Sequence, residues 1–273
     1  IGKFCVSLQS KMDYTINVRN RLLNLDTPIV MGILNVTPDS FYANSRISTE
    51  AEVIERSRQI LAEGGVIIDV GACSTRPGST PASEEEETLR LRRALRILRQ
   101  ELPEAVVSVD TFRPEVASMA VKEFGIDIIN DISGGSEEMF RTVSRLGVPY
   151  ILTSVKSSMR EMLLDFSEKV QQLRDLGQKD IILDPGYGFG KTLEENYEIL
   201  KVQEHLQVME LPLLVGVSRK SMIYRPLGIT TDEALNATTA VHAIALMKGA
   251  NILRVHDVRD AVHAIVLSGM LHT

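Results

Sequence analysis

The sequence predicts a single α/β barrel in which eight parallel strands alternate with eight helices. Three observations lead to this prediction. From Pro28 onward, short apolar runs and helical stretches alternate eight times. The apolar runs contain no regular polar alternation, which indicates strands buried on both faces, as in a parallel sheet. Each run ends in a polar cluster, and enzymes with this fold build their active sites from residues at that rim.

Length and composition agree with one large domain. The chain has 273 residues, 44% of them hydrophobic, and we expect residues 1–11 to be an extension and 12–273 to form the barrel domain. The net charge of −6 and the lack of a long Lys/Arg run argue against nucleic acid and membrane partners. Two cysteines and no secretory signal or long apolar span predict a cytoplasmic protein.

The elements follow in order along the chain. Two short runs around a two-residue turn, at 14–18 and 21–25, predict a β-hairpin that closes the lower end of the barrel. We expect barrel strands at 29–34, 66–70, 105–109, 127–130, 149–153, 181–183, 212–217 and 251–254. We expect helices at 49–63, 83–101, 114–124, 137–146, 159–176, 192–206, 232–247 and 257–270. An open doubly wound sheet shares this alternation, but eight units favour closure and no Gly-x-Gly-x-x-Gly follows the first strand.

Four polar residues end the third, fourth, sixth and seventh predicted strands. They are Asp110, Asn130, Asp184 and Lys220. A closed barrel directs all four toward one cavity, where two carboxylates and an amide match the edge of a flat heterocycle with several N–H donors. Each of them alone could instead be a helix cap or a turn residue. The charge of Lys220 could polarise a carbonyl, bind phosphate or form a Schiff base.

A second group of residues suits an anion and a metal ion. Arg254 and His256 alternate across Val255, so both side chains leave the last strand on one side. Together with Asn35 on the adjoining first strand, they could hold an anionic leaving group. Asn35 and Asp39 carry hard oxygen ligands that suit Mg²⁺ held jointly with a phosphate, although each could equally form a turn.

Two long polar loops follow the first two strands, at 37–48 and 72–83. Loops of this length and composition in a compact barrel are typical of elements that cover a substrate. The five histidines lack the spacing of a zinc site. The rim therefore predicts an enzyme of small molecules.

Seven motifs in order give the chain a family resemblance. The two longest are Met31-Gly-Ile-Leu-Asn-Val-Thr-Pro-Asp-Ser-Phe41 and Asp69-Val-Gly-Ala-Cys-Ser-Thr-Arg-Pro-Gly78. The others are Val109-Asp110-Thr111, Asn130-Asp131-Ile-Ser-Gly134, Asp184-Pro-Gly-Tyr-Gly-Phe189, Gly216-Val-Ser-Arg-Lys-Ser221 and Arg254-Val-His-Asp257. In these motifs the chain resembles the dihydropteroate synthase family of pterin-binding enzymes over nearly everything after Met12.

The resemblance implies a transferase of folate biosynthesis that joins 4-aminobenzoate to 6-hydroxymethyl-7,8-dihydropterin pyrophosphate and releases pyrophosphate. It implies pterin binding by Asp110, Asn130, Asp184 and Lys220, with Arg254 stacked on the ring. It implies that Asn35, Arg254 and His256 bind pyrophosphate, and that Asn35 and Asp39 hold Mg²⁺. An aminobenzoate site would be formed by Phe41, Thr75, Arg76, Pro77 and Ser221. By the same resemblance, the catalytic set is Asp110, Lys220, Arg254, Asn35 and Asp39. Sulfonamide inhibition and a homodimer are also implied.

One segment departs from the family. Where the fifth strand of the family typically ends in Met-His-x-x-Gly and a longer loop, this chain has Leu152-Thr-Ser-Val-Lys-Ser-Ser-Met159 and is about ten residues shorter. An alternative hypothesis is therefore a catalytically weak pterin-binding homologue. A pterin-dependent methyltransferase is a third hypothesis, but it leaves the Ser218–Ser221 loop and the Arg254 and His256 pair without a role.

Overall fold

The computed structural model describes residues 14–36, 46–73 and 82–271, with only the backbone described at 46–49. It contains a two-stranded antiparallel hairpin and an eight-stranded parallel sheet. The hairpin strands are β1 (Thr15–Val18) and β2 (Arg21–Asn24). The barrel strands are β3 (Ile29–Asn35), β4 (Ile67–Gly71), β5 (Val106–Asp110), β6 (Ile128–Asp131), β7 (Tyr150–Thr153), β8 (Ile181–Asp184), β9 (Leu214–Val215) and β10 (Ile252–Val255). The predicted (β/α)8 barrel with an N-terminal hairpin is confirmed.

Helices connect the strands on the outside of the sheet. They are α1 (Arg46–Ala62), α2 (Glu84–Glu101), α3 (Pro114–Phe124), α4 (Glu137–Leu146), α5 (Met159–Asp175), α6 (Leu193–Lys201), α7 (Ser221–Leu227), α8 (Leu235–Met247) and α9 (Val258–Gly269). The expected start and stop signals are present. The side chain of Ser83 accepts a hydrogen bond from the Glu86 N–H, and Gly125 and Gly147 end α3 and α4 in the left-handed conformation.

The barrel closes between β8 and β9. The strand order is β8-β7-β6-β5-β4-β3-β10-β9. A single bridge joins Leu183 to Leu213, and the Leu183 N–H donates to the Pro212 carbonyl at 2.9 Å. The predicted strand at 212–217 is longer than β9 because the chain turns after Val217, with Arg219 at a positive φ of 53°.

Two helical predictions differ from the structure around this closure. The predicted helix at 192–206 is α6 followed by a 3-10 helix at Gln203–Met209. The helix α7 was missed, because it is only seven residues long and contains Pro226. This short helix begins directly after Lys220, so it fixes the backbone of a residue predicted to lie in the site.

The lower half of the barrel interior is apolar, and the hairpin packs against it. Seven residues from successive barrel strands form this layer: Met31, Ile67, Ile128, Ile151, Ile182, Leu214 and Ile252. Ile16, Val18 and Leu25 of the hairpin region belong to the same buried cluster. The predicted closing role of the hairpin therefore agrees with the packing. A larger cluster lies between the strands and the surrounding helices.

Candidate active site

The rim residues lie on the same strand faces as the apolar residues at the floor of the barrel, two positions further along each strand. Side chains two positions apart in a strand point to the same face. Two residues beyond each of five floor isoleucines, the next inward-facing residues are Asp69, Asn130, Thr153, Asp184 and Arg254. Asp110 stands two positions beyond Ser108 on β5. The sequence therefore places a polar layer directly above an apolar one.

Arg254 reaches from β10 across the barrel to two carboxylates. Its Nε donates to Asp69 Oδ2 at 2.6 Å, and its Nη2 donates to Asp110 Oδ2 at 2.8 Å. Asn130 Nδ2 donates to the same Asp69 oxygen at 3.2 Å. Since β10 is separated from β4 and β5 by β3, this side chain spans the centre of the rim. The structure thus brings Asp110, Asn130 and Arg254 together, as predicted.

Asp110 has an unusual electrostatic environment. The pKa of its carboxyl is raised to about 7, chiefly by burial and also by the charges of Asp69, Asp131 and Glu87, while Arg254 acts to lower it. The group is thus poised between its acid and its carboxylate form near neutral pH. A carboxylate is needed to accept two N–H groups from a ligand.

This environment predicts a pH dependence of pterin binding. Below pH 7 the free Asp110 carboxyl carries a proton that a ring edge with N–H donors must displace. Affinity for pteroic acid should therefore fall about tenfold for each pH unit below 7 and level off above it. Titration calorimetry across this range, corrected for the titration of the ligand, measures the effect. The step should vanish in Asp110→Asn, and a flat profile in the unaltered protein would contradict the assignment.

Asp184 and Lys220 lie on the opposite side of the same rim. Asp184 Oδ1 accepts a hydrogen bond from the Gly186 N–H at 2.7 Å, and burial raises the pKa of this carboxyl. Lys220 Nζ donates to the Tyr187 carbonyl at 2.5 Å and stands 4.2 Å from the centre of the Phe189 ring. Burial lowers the pKa of Lys220 to about 8, while the Asp184 charge acts in the opposite direction.

Several buried oxygens in this layer have no protein partner. Among the described residues they are Asp69 Oδ1, Ser108 Oγ, Asn130 Oδ1 and Thr153 Oγ1. Buried polar atoms in folded proteins are nearly always hydrogen-bonded. Four such atoms in one inward layer are acceptors that a polar ligand could use. The sequence listed acceptors at the strand ends but could not show that they are left unpaired.

Asn35 ends β3, His256 directly follows β10, and Ser221 follows the turn after β9. A methyl group at Gly71 would lie 3.5 Å from Asn35 Oδ1 and 3.7 Å from Asp110 Oδ2, so both oxygens face the same glycine. Burial and, to a smaller extent, the charge of Arg254 lower the pKa of His256 to about 4. Ser221 is the first residue of α7. His256 is therefore a neutral imidazole, which the sequence did not reveal.

Five of the seven residues predicted for the aminobenzoate and metal sites lie outside the described residues. This applies to Asp39, Phe41, Thr75, Arg76 and Pro77. The last residues of the predicted loop at 72–83, from Ala82 onward, are described. Arg113 donates to the Ala82 carbonyl at 2.7 Å and pairs with the fully buried Glu87. We missed Arg113 in the sequence, because an arginine before a helix resembles an exposed residue.

The segment that departs from the family forms an ordered connection. Thr153 pairs with Asp184 in the sheet, and the Ser154 N–H donates to the Asp184 carbonyl at 2.8 Å. Lys191 Nζ donates to the carbonyls of Ser154 at 3.0 Å and Gly186 at 2.9 Å. The shortened segment is thus joined to the loop that carries Tyr187 and Phe189. Lys191 is a second residue that sequence reasoning missed.

The fold and the rim define the class of protein. The family described as pterin binding enzyme matches residues 31–256, which is most of the chain. Its members bind a flat heterocycle, and the polar layer above the apolar floor is suited to one. The chain is therefore a pterin-binding enzyme of the barrel type.

Individual relatives and solved structures show which pterin-binding enzymes the chain is similar to. The dihydropteroate synthase of Escherichia coli (strain K12) is 38% identical over 259 residues, covering 89% of this chain and 91% of the relative. The dihydropteroate synthase of Xanthomonas albilineans, solved with 4-aminobenzoic acid, superposes with a TM-score of 0.87 at 31% identity, covering 96% of this chain and 99% of that one. The Yersinia pestis enzyme, solved with a sulfonamide drug complex, has a TM-score of 0.86 at 33% identity, with coverages of 95% and 99%. The chain belongs to the dihydropteroate synthase family of transferases.

Proposed function

We propose that this chain condenses 4-aminobenzoate with 6-hydroxymethyl-7,8-dihydropterin pyrophosphate to give 7,8-dihydropteroate and pyrophosphate. The observation that carries the proposal is the inward polar layer of Asp69, Asn130, Thr153, Asp184 and Arg254 above an apolar floor. This layer offers acceptors for the N–H groups of a pterin, and the Arg254 guanidinium could stack on the face of the pterin ring. The relatives named above carry the same activity in their names.

The pterin is bound by Asp110, Asn130, Asp184 and Lys220 in this proposal. Two carboxylates and one amide oxygen accept from the ring N–H groups, and the Lys220 ammonium donates to a ring acceptor. Arg254 stacks on one face through its planar guanidinium, which remains charged at any pH relevant to enzymes. The support is the position of these groups around one rim and the unpaired Asn130 Oδ1.

The pyrophosphate is held by Asn35, Arg254 and His256. The guanidinium contributes positive charge, while His256, being neutral, contributes a hydrogen bond. Asn35 Oδ1 lies at the rim beside Gly71 and is a hard oxygen of the kind that suits Mg²⁺. Asn35 and Asp39 would hold the ion, which would neutralise pyrophosphate charge when bound. Further ligands would come from the pyrophosphate oxygens, because Mg²⁺ is usually bound by one or two protein oxygens together with substrate phosphates.

The reaction is a dissociative substitution at the pterin methylene, in which the C–O bond to pyrophosphate breaks first and the arylamine nitrogen then forms the C–N bond. The carboxylates of Asp110 and Asp184 favour the positive charge that develops on the pterin. The anion-binding groups favour departure of pyrophosphate. Aminobenzoate attacks through its neutral amine and then loses a proton, so a strong general base is not required.

The aminobenzoate site is assigned to Phe41, Thr75, Arg76, Pro77 and Ser221. The two loops that carry the first four residues would also exclude water from the cation. Sulfonamides resemble aminobenzoate, and we expect them to compete for this site. The Yersinia pestis relative was solved with such a drug.

Formation of dihydropteroate and pyrophosphate from both substrates tests the proposed function. Each product should appear only when both substrates are present. The alternative, a catalytically weak pterin-binding homologue, is motivated by the shortened segment at 153–158. Tight pterin binding without product would select that alternative, and absence of both would overturn the assignment.

Removal of divalent ions provides a separate prediction. Treatment with a chelator should slow turnover roughly tenfold or more, and added Mg²⁺ should restore it, because the ion neutralises the leaving group. Asn35→Ala should raise the Mg²⁺ concentration needed for half-maximal rate. Turnover that is unchanged by chelation, in a sample shown to be free of metal, would contradict the proposed magnesium site.

Two further properties belong to the proposal. Leu267, Val266 and Met247 are exposed on the outer faces of α8 and α9, which contact each other, and we assign this surface to a homodimer. Light scattering should give twice the chain mass of 30.3 kDa, and Leu267→Glu should give the monomer.

No described helix is long and apolar enough to cross a membrane. The proposed location is the cytoplasm, which agrees with the free thiol of Cys73.

A further inference from the structure

Arg254 has two acceptors in the rim, and only one of them belongs to the proposed pterin site. Its Nη2 donates to Asp110 at 2.8 Å, and its Nε donates to Asp69 at 2.6 Å. Asp69 is fully buried, whereas the Asp110 side chain is 13% exposed. A ring edge that binds Asp110 therefore meets a carboxylate that Arg254 already occupies.

Asp69 contacts two members of the proposed pterin site. The oxygen that accepts from Arg254 also accepts from Asn130 Nδ2 at 3.2 Å. Its other oxygen has no protein partner. Ile68 and Val70, its neighbours along β4, are buried apolar residues and offer the carboxylate no side-chain polar partner. Burying such a charge is costly unless it is paired, so Asp69 is expected to serve its partners.

We propose that Asp69 is a positioning residue that retains Arg254 through Nε while the Nη2 of that arginine leaves Asp110 to admit the pterin ring. The inference rests on the proposed function, and it adds a role to a residue outside the proposed substrate-binding set. Asp69 and Asp110 compete for one guanidinium. The charge on Asp69 lowers the cost of breaking the Arg254 bond to Asp110, and it keeps the guanidinium near the ring that it then covers.

The isosteric change Asp69→Asn separates this role from simple packing. An amide oxygen can still accept from Arg254 and Asn130, so the shape and the two hydrogen bonds are retained while the charge is removed. Arg254 should then bind Asp110 more strongly, and affinity for pteroic acid should fall about tenfold. The pKa of Asp110 should also fall, because the Asp69 charge raises it. The pH at which pteroic acid binding levels off should move below 7.

A double-mutant cycle with Arg254→Met tests the route of the effect. Pteroic acid affinity is measured by calorimetry for the unaltered chain, each single variant and the pair. If Asp69 acts through Arg254, Asp69→Asn should change affinity less than about twofold in the Arg254→Met background, when all four chains are compared at a pH above their Asp110 transitions. Multiplicative effects of the two changes would mean that Asp69 acts on the ligand independently, and would overturn the proposal. No effect of Asp69→Asn in the unaltered background would overturn it as well.

A matched carboxylate at the other end of the barrel provides the control. Asp180 lies just before β8 and accepts a hydrogen bond from the Asn17 N–H, so it is remote from the rim. Asp180→Asn should leave pteroic acid affinity unchanged. Urea unfolding of each variant checks that the chain is folded. Because affinity is measured without turnover, an inactive chain that binds pteroic acid normally would refute the proposed function and still test the role of Asp69.

Discussion

Replacing Lys220 by alanine is expected to lower turnover by roughly 100- to 1000-fold while the barrel stays folded. The ammonium is buried beside Asp184, donates to the Tyr187 carbonyl and lies over the Phe189 ring. Its loss removes a donor to the pterin and a cation that balances Asp184. Steady-state rates with both substrates, together with calorimetry of pteroic acid, measure the change.

The stability of Lys220→Ala should be unchanged or slightly higher. Burial lowers the pKa of Lys220 to about 8, which means that folding disfavours its charged form. The charge therefore costs stability near neutral pH, and removing it relieves that cost. Lys248→Ala is the matched control, since Lys248 pairs with Glu204 on the outside of the barrel and should leave turnover unchanged. Near-normal turnover in Lys220→Ala would remove this residue from the site.

Replacing Asp127 by alanine is expected to lower the free energy of unfolding by about 3–5 kcal/mol. The Asp127 carboxylate is fully buried and accepts from Arg19 Nε at 2.5 Å, from Arg99 Nη2 at 3.0 Å and from the Val107 N–H at 2.8 Å. It thereby joins the hairpin turn to the floor of the barrel. Its removal leaves two guanidinium groups and a backbone donor without their shared acceptor.

Urea unfolding of Asp127→Ala against a surface pair provides the comparison. Glu123 pairs with Arg92 while both side chains are more than 40% exposed, at 44% and 43%. Glu123→Ala should therefore leave the urea midpoint of unfolding nearly unchanged, because water and salt screen an exposed ion pair. Equal losses in the two variants would show that the buried carboxylate does not attach the hairpin. A large loss in Asp127→Ala alone would support the attachment.

The sequence predicted most of the fold because its signals are local. Apolar runs, capping residues such as Ser83 and stop signals such as Gly125 depend on neighbours along the chain. The missed helix α7 lacks such signals and contains Pro226. The strand at 212–217 was overextended because its apolar residues continue past the point where the barrel closes.

The site was less completely predictable, because its decisive contacts join distant strands. Asp110, Asn130, Asp184 and Arg254 could be placed at strand ends, and the structure brings them to one rim. The contact between Arg254 and Asp69 spans 185 positions, so only barrel closure reveals it. Burial and neighbouring charges, not residue type, decide that His256 is neutral and that Asp110 titrates near 7.

A crystal structure of the chain with pteroic acid tests the central claim most directly. The account predicts the pterin ring inside the barrel rim, with its N–H groups on Asp110, Asn130 and Asp184. It predicts that Arg254 covers the ring, with Nε still bound to Asp69 and Nη2 released from Asp110. A ring bound outside the rim, or an Arg254 that keeps both of its present bonds while the ring is bound, would contradict the account.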